Sequence, residues 1–228
     1  MNILLKTLLV FLLYRTSHVC IIFPSFCRLW KASGVCTHAL EGHSDVVAYV
    51  GIINPEGAEA ITLATASKDR TRRLWKFDTE EPINNPINVR AFKILRGHRE
   101  SVQSVAAQKT GDMVCSGSWD STINLWRTND NTDGDLVSIK KRKVNDQADE
   151  SQLEGEAVST LVGHTQCVSS VVWPQNETIY SASWDHSVRR WDVETGKDLT
   201  DSVNSALHYI FPNHFGQFYT EIENTCIT

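Results

Sequence analysis

The chain has 228 residues, 41% of them hydrophobic, which is long enough to bury the core of one domain. Its formal net charge of −5 argues against bulk nucleic-acid affinity of the whole chain. Its six cysteines form no C-x-x-C pair, and the isolated His208 and His214 have no further ligands at useful spacing. We therefore expect no metal, no cofactor and no small-molecule substrate.

Residues 1–27 form an apolar head that lies outside the pattern of the following chain. Lys6, Arg15 and His18 interrupt the run of ~20 apolar residues that a membrane span needs. A secretory signal over residues 1–20, which would direct the chain to the secretory pathway, is a second interpretation. A third is sequence that replaced the usual N-terminus through truncation or alternative splicing, and we favour this one.

The chain from residue 28 onward is dominated by a repeated unit, which begins with Gly-His and ends with an Asp followed by a Trp. In each of three copies the Trp comes six residues after the Asp, and the His precedes the Asp by 26, 22 or 21 residues. The copies begin at Gly42, Gly97 and Gly163.

Short runs of alternating apolar and polar residues within each copy predict half-buried strands. In the middle copy we predict strand a through Val102, Val105 and Ala107, strand b over Met113–Ser118 and strand c over Ser121–Trp126. Asp120 then lies at the tight turn between strands b and c, where an Asp can hydrogen-bond nearby backbone.

This unit resembles the repeat of the WD-repeat β-propeller family. The resemblance implies an all-β fold, here an incomplete propeller of about three and a half four-stranded blades out of a probable seven. It also implies a Trp–Ser/Thr–His–Asp hydrogen-bonded tetrad in each blade. The implied sets are His43, Ser67, Asp69 and Trp75; His98, Ser118, Asp120 and Trp126; and His164, Ser183, Asp185 and Trp191.

The partial propeller is expected to cover residues 28–202 and to begin in mid-blade, with Arg28–Lys31 as the end of a strand c. We predict a loose surface loop over Thr79–Asn88 and a disordered insertion over residues 129–156, which is polar and acidic. The basic run Lys140, Lys141, Arg142 and Lys143 within the insertion is a candidate nuclear-import signal or a solvated charge run. Residues 203–228 form a non-propeller tail.

Ser, His and Asp close together also suggest nucleophilic catalysis. Three equivalent sets argue against it, because an enzyme needs one activated site. We therefore predict that the sets are structural and that the chain is not an enzyme.

Three short segments and the basic insertion indicate a closer resemblance to one branch of this family. The segments are Ser116–Asp120, Ser181–His186 and Gly42–Val47, and the insertion lies between the last two blades. They resemble the family of WD-repeat subunits of the Pescadillo-containing PeBoW complex. The resemblance implies a non-enzymatic scaffold in large-subunit rRNA maturation and pre-ribosome assembly, located in the nucleus, nucleolus and nucleoplasm. It implies Pescadillo and Bop-type subunits and the pre-ribosomal particle as partners, and leaves direct RNA contact open. The family's N-terminal ubiquitin-like domain and later blades are not found in this sequence.

The position just before each turn Asp is exposed at one rim in such propellers, and here it holds Lys68, Trp119 and Trp184. Tryptophan is enriched among interface hot spots, so these residues are our candidates for partner binding. The alternative is that each indole packs on a neighbouring blade. A generic adaptor, such as a ubiquitin-ligase substrate receptor or a signalling scaffold, is the alternative function.

Overall fold

The computed structural model describes residues 18–22, 25–31, 33–53, 60–77, 85–129 and 153–200. These residues form sixteen strands. They are β1 His18–Ile22, β2 Phe26–Lys31, β3 Cys36–Glu41, β4 Val47–Ile52, β5 Ile61–Ser67, β6 Arg72–Phe77, β7 Ile87–Val89, β8 Ala91–Leu95, β9 Val102–Ala107, β10 Met113–Ser118, β11 Thr122–Arg127, β12 Leu153–Gly155, β13 Ser159–Val162, β14 Val168–Gln175, β15 Thr178–Ser183 and β16 Val188–Asp192.

The strands form four sheets, each built mainly from strands that follow one another along the chain. Blade 1 contains β1, β2 and β3; blade 2 contains β4, β5, β6 and β8; blade 3 contains β9, β10, β11 and β13; blade 4 contains β14, β15 and β16. Within each blade the pairing is antiparallel. The predicted all-β, incomplete WD-repeat propeller is therefore confirmed.

The hydrophobic core consists of three clusters, each of which joins two successive blades. Alternate residues of a strand point to opposite faces of the sheet, so both faces of a central blade are buried. On β11, Ile123 and Leu125 pack toward blade 4, whereas Trp126 packs toward blade 2. Each blade is thus stabilised by its neighbours, as in repeat proteins generally.

The blades approach each other closely where a glycine replaces a side chain. A Cβ on Gly51 of β4 would lie 3.2 Å from the Val105 carbonyl oxygen of blade 3. A Cβ on Gly117 of β10 would lie 2.7 Å from the Val168 side chain of blade 4. Glycine at these two positions allows the sheets to pack in direct contact.

The predicted start of the propeller at residue 28 is wrong. β1 pairs with β2 from His18–Lys31 to Ile22–Cys27, so part of the apolar head belongs to the first sheet. The segment carries Val19, Ile21 and Ile22, which have high strand propensity. The sequence pattern missed this strand because blade 1 has no Gly-His or Asp-turn marker before it.

The predicted limits of the two connections are also wrong at their C-terminal ends. Ile87–Val89, at the end of the expected loose loop, is β7, and Leu153–Gly155, in the expected disordered insertion, is β12. β7 pairs parallel with β3 of blade 1, and β12 pairs parallel with β8 of blade 2. Three residues are too few to show periodicity, so backbone pairing to a neighbouring blade is what orders them.

In the part of the chain that the structure describes, no helix is both long and apolar enough to span a bilayer.

Candidate interaction rim and the hydrogen-bond sets beneath it

In blades 2, 3 and 4 the turns between strands b and c adopt one geometry, which begins with an Asp. In blade 3, Asp120 Oδ1 accepts hydrogen bonds from the Thr122 amide at 3.0 Å and the Thr122 hydroxyl at 2.6 Å. The residue between them, Ser121, has φ of 66°. Arg70 and His186 have φ of 67° and 65° at the same position. We call the edge of the array that carries these three turns and the three Gly-His segments the turn rim.

Beneath each turn lies a buried chain of hydrogen bonds. In blade 3 the other oxygen of Asp120, Oδ2, lies 2.8 Å from His98 Nδ1. His98 Nε2 lies 3.0 Å from the Ser116 hydroxyl, which accepts from Trp126 Nε1 at 2.9 Å. The chain therefore links the turn to strands b and c through four side chains.

Blades 2 and 4 repeat this arrangement. The His43–Asp69 distance is 2.7 Å, and the Thr65 hydroxyl lies 2.7 Å from His43 Nε2 and 2.9 Å from Trp75 Nε1. In blade 4 the corresponding distances are 2.8, 2.7 and 2.8 Å, among His164, Asp185, Ser181 and Trp191. The structure thus brings the predicted His, Asp and Trp of every set together.

The predicted serine of each set is wrong by two residues. The hydroxyls that contact His and Trp belong to Thr65, Ser116 and Ser181, not to Ser67, Ser118 and Ser183. Residues two apart on a strand share a face, so the alternation did not distinguish them. The register does, because each Trp lies opposite the residue two positions before the bonded hydroxyl.

The serines that we predicted close the turn instead. The Ser118 hydroxyl donates to the Ser101 carbonyl at 2.8 Å and accepts from the Asp120 amide at 3.2 Å. Ser67 and Ser183 likewise accept from the amide of their turn Asp, and they donate to the carbonyls of Asp45 and Gln166, which correspond to Glu100 in blade 3. They tie the end of strand b to the start of strand a.

The protonation state follows from the partners. The hydroxyl oxygen accepts from the indole N–H, so its proton is directed at His Nε2, and the ring carries its own proton on Nδ1 and donates it to the Asp. Burial lowers the pKa of His43, His98 and His164, and this effect outweighs the opposing effect of the carboxylates. The lowered pKa favours the neutral ring.

The turn carboxyls are ionised. Burial alone would raise the pKa of Asp69, Asp120 and Asp185, but hydrogen bonds from the histidine and from the hydroxyl two residues later outweigh it. The net result is a pKa well below the usual range for each. Backbone amides of Ser44, Arg99 and Thr165 add a further bond to each carboxylate.

In blades 3 and 4 the glycine of the Gly-His segment lies directly against the tryptophan beneath it. A Cβ on Gly97 would lie 3.0 Å from the Trp126 ring, and one on Gly163 would lie 2.9 Å from the Trp191 ring. This contact seats the loop of the turn rim on the buried indole.

Arg72 is a buried charge that sequence reasoning missed. Its guanidinium lies 3.8 Å from the centroid of the Trp126 ring in the next blade. Burial lowers its pKa to about 9, and the charges of Asp120 and Asp69 oppose that shift. The equivalent strand positions hold Ile123 and Val188, so an arginine at a core position of the repeat was the available signal.

The candidate binding residues all lie on the turn rim. Trp119 and Trp184 are 49% and 52% exposed, and their ring centroids are 5.0 Å apart at an interplanar angle of 62°. The amides of Lys68, Trp119 and Trp184 each donate to the carbonyl just before a strand a, which fixes their backbone. The two indoles contact each other across the boundary between blades 3 and 4, and Lys68 is exposed on blade 2.

The basic run Lys140–Lys143 lies outside the described residues.

Comparison with known proteins bears on this geometry. The family model described as "WD domain, G-beta repeat" matches residues 90–127 and 155–192. These two segments contain β8–β11 and β13–β16 and so include the sets of blades 3 and 4.

Three curated relatives are each named Ribosome biogenesis protein WDR12 homolog. The chain is 66% identical to the Arabidopsis thaliana protein over 172 residues, covering 75% of this chain and 40% of the relative. It is 51% identical to the Oryza sativa protein, covering 80% and 42%, and 31% identical to the Nematostella vectensis protein, covering 78% and 43%. The chain therefore spans about two fifths of the length of these relatives.

Proposed function

We propose, from the premise that this chain is a WD-repeat protein similar to ribosome biogenesis proteins, that it acts as a non-enzymatic scaffold in large-subunit assembly. Its partners would be Pescadillo and Bop-type subunits of a PeBoW-like complex and, through them, the pre-ribosomal particle. The names of the curated relatives support the process, and the geometry of the turn rim supports the mode of action.

The observation that carries the proposal is the exposed pair Trp119–Trp184. Each residue is about half exposed, at 49% and 52%, although both backbones are fixed by hydrogen bonds to the carbonyl just before strand a. Rigid, partly exposed aromatic rings are suited to anchor a partner because little conformational entropy is lost when they are covered. Lys68 on the adjacent blade adds a positive charge to the same rim.

The buried sets favour a scaffold over a hydrolase. Each has the Asp–His–hydroxyl order of a nucleophilic triad, yet Thr65 and Ser116 are 0% exposed and Ser181 is 2% exposed. Every one of these hydroxyl oxygens also accepts an indole N–H. A nucleophile needs access to substrate, and these oxygens, which are buried and already held by an indole N–H, do not have it.

Nuclear import would precede assembly. We assign it to Lys140–Lys143, a run of four basic residues with acidic sequence on both sides. A reporter carrying residues 129–156 should enter the nucleus, and the same reporter with all four basic residues replaced by Ala should not.

Density-gradient fractionation of a nuclear extract tests the proposal. The tagged chain should co-migrate with large-subunit precursors, and the double variant Trp119→Ala/Trp184→Ala should move to the top of the gradient. The matched control is Val35→Ala/Val158→Ala, which removes two side chains that are each 52% exposed. Migration of the unaltered chain with a ubiquitin ligase outside the nucleus would contradict the proposal in favour of a generic adaptor.

A further inference from the structure

The outer edges of blades 1 and 2 are each covered by a short strand that comes from the following blade. β7 leaves the connection after β6 of blade 2 and pairs with β3, and β12 leaves the connection after β11 of blade 3 and pairs with β8. Both pairings are parallel and three residues long. We call these two strands the guest strands.

The two guest strands share one register. β7 pairs with His38, Ala39 and Leu40, and β12 pairs with Lys93, Ile94 and Leu95. Counted back from the next Gly-His, at residues 42 and 97, these are the same three repeat positions. A specific register that recurs in two blades is a property of the repeat.

Blade 3 has the same edge without a guest strand among the described residues. The three equivalent positions are Ser159, Thr160 and Leu161 of β13, which pairs only with β11 in the described sheet. The middle of the three positions is occupied by Ala39 in blade 1 and Ile94 in blade 2, which are paired with guest strands and are 3% and 4% exposed. In blade 3 it is occupied by Thr160, which is exposed. Val162, two residues further on, is 72% exposed. In the described sheet, the outer backbone groups of β13 therefore pair with no strand, and they lie beside an exposed apolar side chain. Such an edge favours pairing with another strand.

By the same route, a guest strand for blade 3 would come from the connection after β16 of blade 4. That connection is too short to contain one. The connections of blades 2 and 3 run from β6 to β8 and from β11 to β13, and each contains a guest strand. In blade 4, β16 ends at Asp192, and Asp198 already pairs back to Trp191. The intervening residues 193–197 form a turn, closed by the Gly196 amide donating to the Asp192 carbonyl.

We propose that the outer edge of β13 binds an extended segment of a partner polypeptide, which adds as a parallel strand opposite Ser159–Leu161. Main-chain hydrogen bonds supply the affinity in such strand addition, and alternate side chains supply the specificity. This inference does not depend on the proposed role in ribosome assembly.

The chemistry of the partner segment follows from blade 2. There the middle guest residue, Glu154, accepts a hydrogen bond from Arg96 Nε at 3.0 Å. The residue of blade 3 that corresponds to Arg96 is Val162. The middle residue of the partner segment should therefore be apolar and β-branched, in place of the glutamate that the guest strand of blade 2 carries there.

The donors of the edge can be assigned in the same way. The Arg96 amide donates outward to the Gly155 carbonyl of the guest at 3.2 Å. By equivalence the Val162 amide points outward, and so does that of Thr160, since amides two residues apart face the same side. Val162→Pro should remove one outward donor and leave the pairing of β13 with β11 intact.

Amide-resolved hydrogen–deuterium exchange on the full chain tests the proposal. The probe is a synthetic peptide of residues 85–90 carrying Asn88→Val, and the control peptide carries Asn88→Pro. The Val probe should slow exchange of the Thr160 amide about threefold in the unaltered chain and in Val162→Thr. It should have no effect in Val162→Pro, and the Pro peptide should have no effect in any of them.

Three results would overturn the proposal. The Val probe does not slow exchange at Thr160 in the unaltered chain, or it slows exchange equally in Val162→Pro. Alternatively, the Thr160 and Val162 amides of the free full chain are already as protected as those of Ile94 and Arg96, which means that the chain itself covers this edge.

Discussion

Trp126 and Trp191 differ from Trp119 and Trp184 in almost everything except residue type. The first two are 0% and 1% exposed, and their indole N–H groups donate to buried hydroxyls. The second two lie seven residues earlier in each repeat and are about half exposed. Position on strand c or at the turn, and not residue type, decides whether a tryptophan is buried within the blade or exposed on the turn rim.

The largest contrast in stability should come from truncating one tryptophan of each kind. Trp126→Ala leaves a cavity between blades 2 and 3 and should lower the free energy of unfolding by about 3–5 kcal/mol. Trp119→Ala removes a half-exposed side chain and should lower it by no more than about 1 kcal/mol. Urea denaturation followed by circular dichroism measures both. Equal losses would mean that Trp119 is a core residue.

The hydroxyl of the buried set should matter more than the serine that we first predicted. Ser116→Ala leaves His98 Nε2 and Trp126 Nε1 without their partner and should lower the free energy of unfolding by about 1–3 kcal/mol. Ser116→Thr should be tolerated, because blade 2 uses Thr65 at this position. The same urea denaturation experiment measures both variants. An unchanged free energy of unfolding in Ser116→Ala would contradict the role of this hydroxyl.

Stability should fall as the pH is lowered. Burial lowers the pKa of His43, His98 and His164 in the folded chain, so below about pH 6.5 the unfolded chain binds protons that the folded chain does not. This contribution is present above pH 6.5 and is lost as the pH falls. The lowered pKa values of the turn aspartates add a further loss below about pH 4.

The direction of this pH dependence is tested by measuring the free energy of unfolding between about pH 7.5 and about pH 5, a range that spans the ordinary histidine pKa of about 6.5. His164→Gln should flatten the dependence, and Trp119→Ala should keep it. A stability that rises toward pH 5 would mean that the histidines are protonated in the folded chain.

The smallest effect should come from the turn itself. Ser121 has φ of 66°, a conformation that disfavours side chains with a Cβ. Ser121→Gly should therefore raise the free energy of unfolding by up to about 1 kcal/mol. Gln103→Gly, within β9, is the control and should lower it. Loss of stability in Ser121→Gly would show that the serine side chain is needed at the turn.

Sequence reasoning predicted the blades well wherever the repeat carried its own markers. Gly-His, the turn Asp and the Trp locate β9, β10 and β11 to within a residue. It failed at β1, β7 and β12, which have no markers and are ordered by pairing with other strands. Long-range pairing of three residues leaves no local pattern to detect.

The buried sets show the same limit on a smaller scale. Three of four members follow from spacing, but the choice between Ser116 and Ser118 depends on strand register, since both side chains lie on one face of β10. Register is set by packing across the sheet. The contact between Trp119 and Trp184 likewise required the placement of two blades side by side.

The most direct test of the division between buried and exposed tryptophans is the affinity for the proposed partner, a purified complex of Pescadillo and Bop-type subunits. Trp119→Ala/Trp184→Ala should raise the Kd about tenfold or more, the effect of losing a hot spot, with unfolding unchanged within about 1 kcal/mol. An unchanged Kd, or a rise in Kd that occurs only together with loss of the fold, would contradict the account.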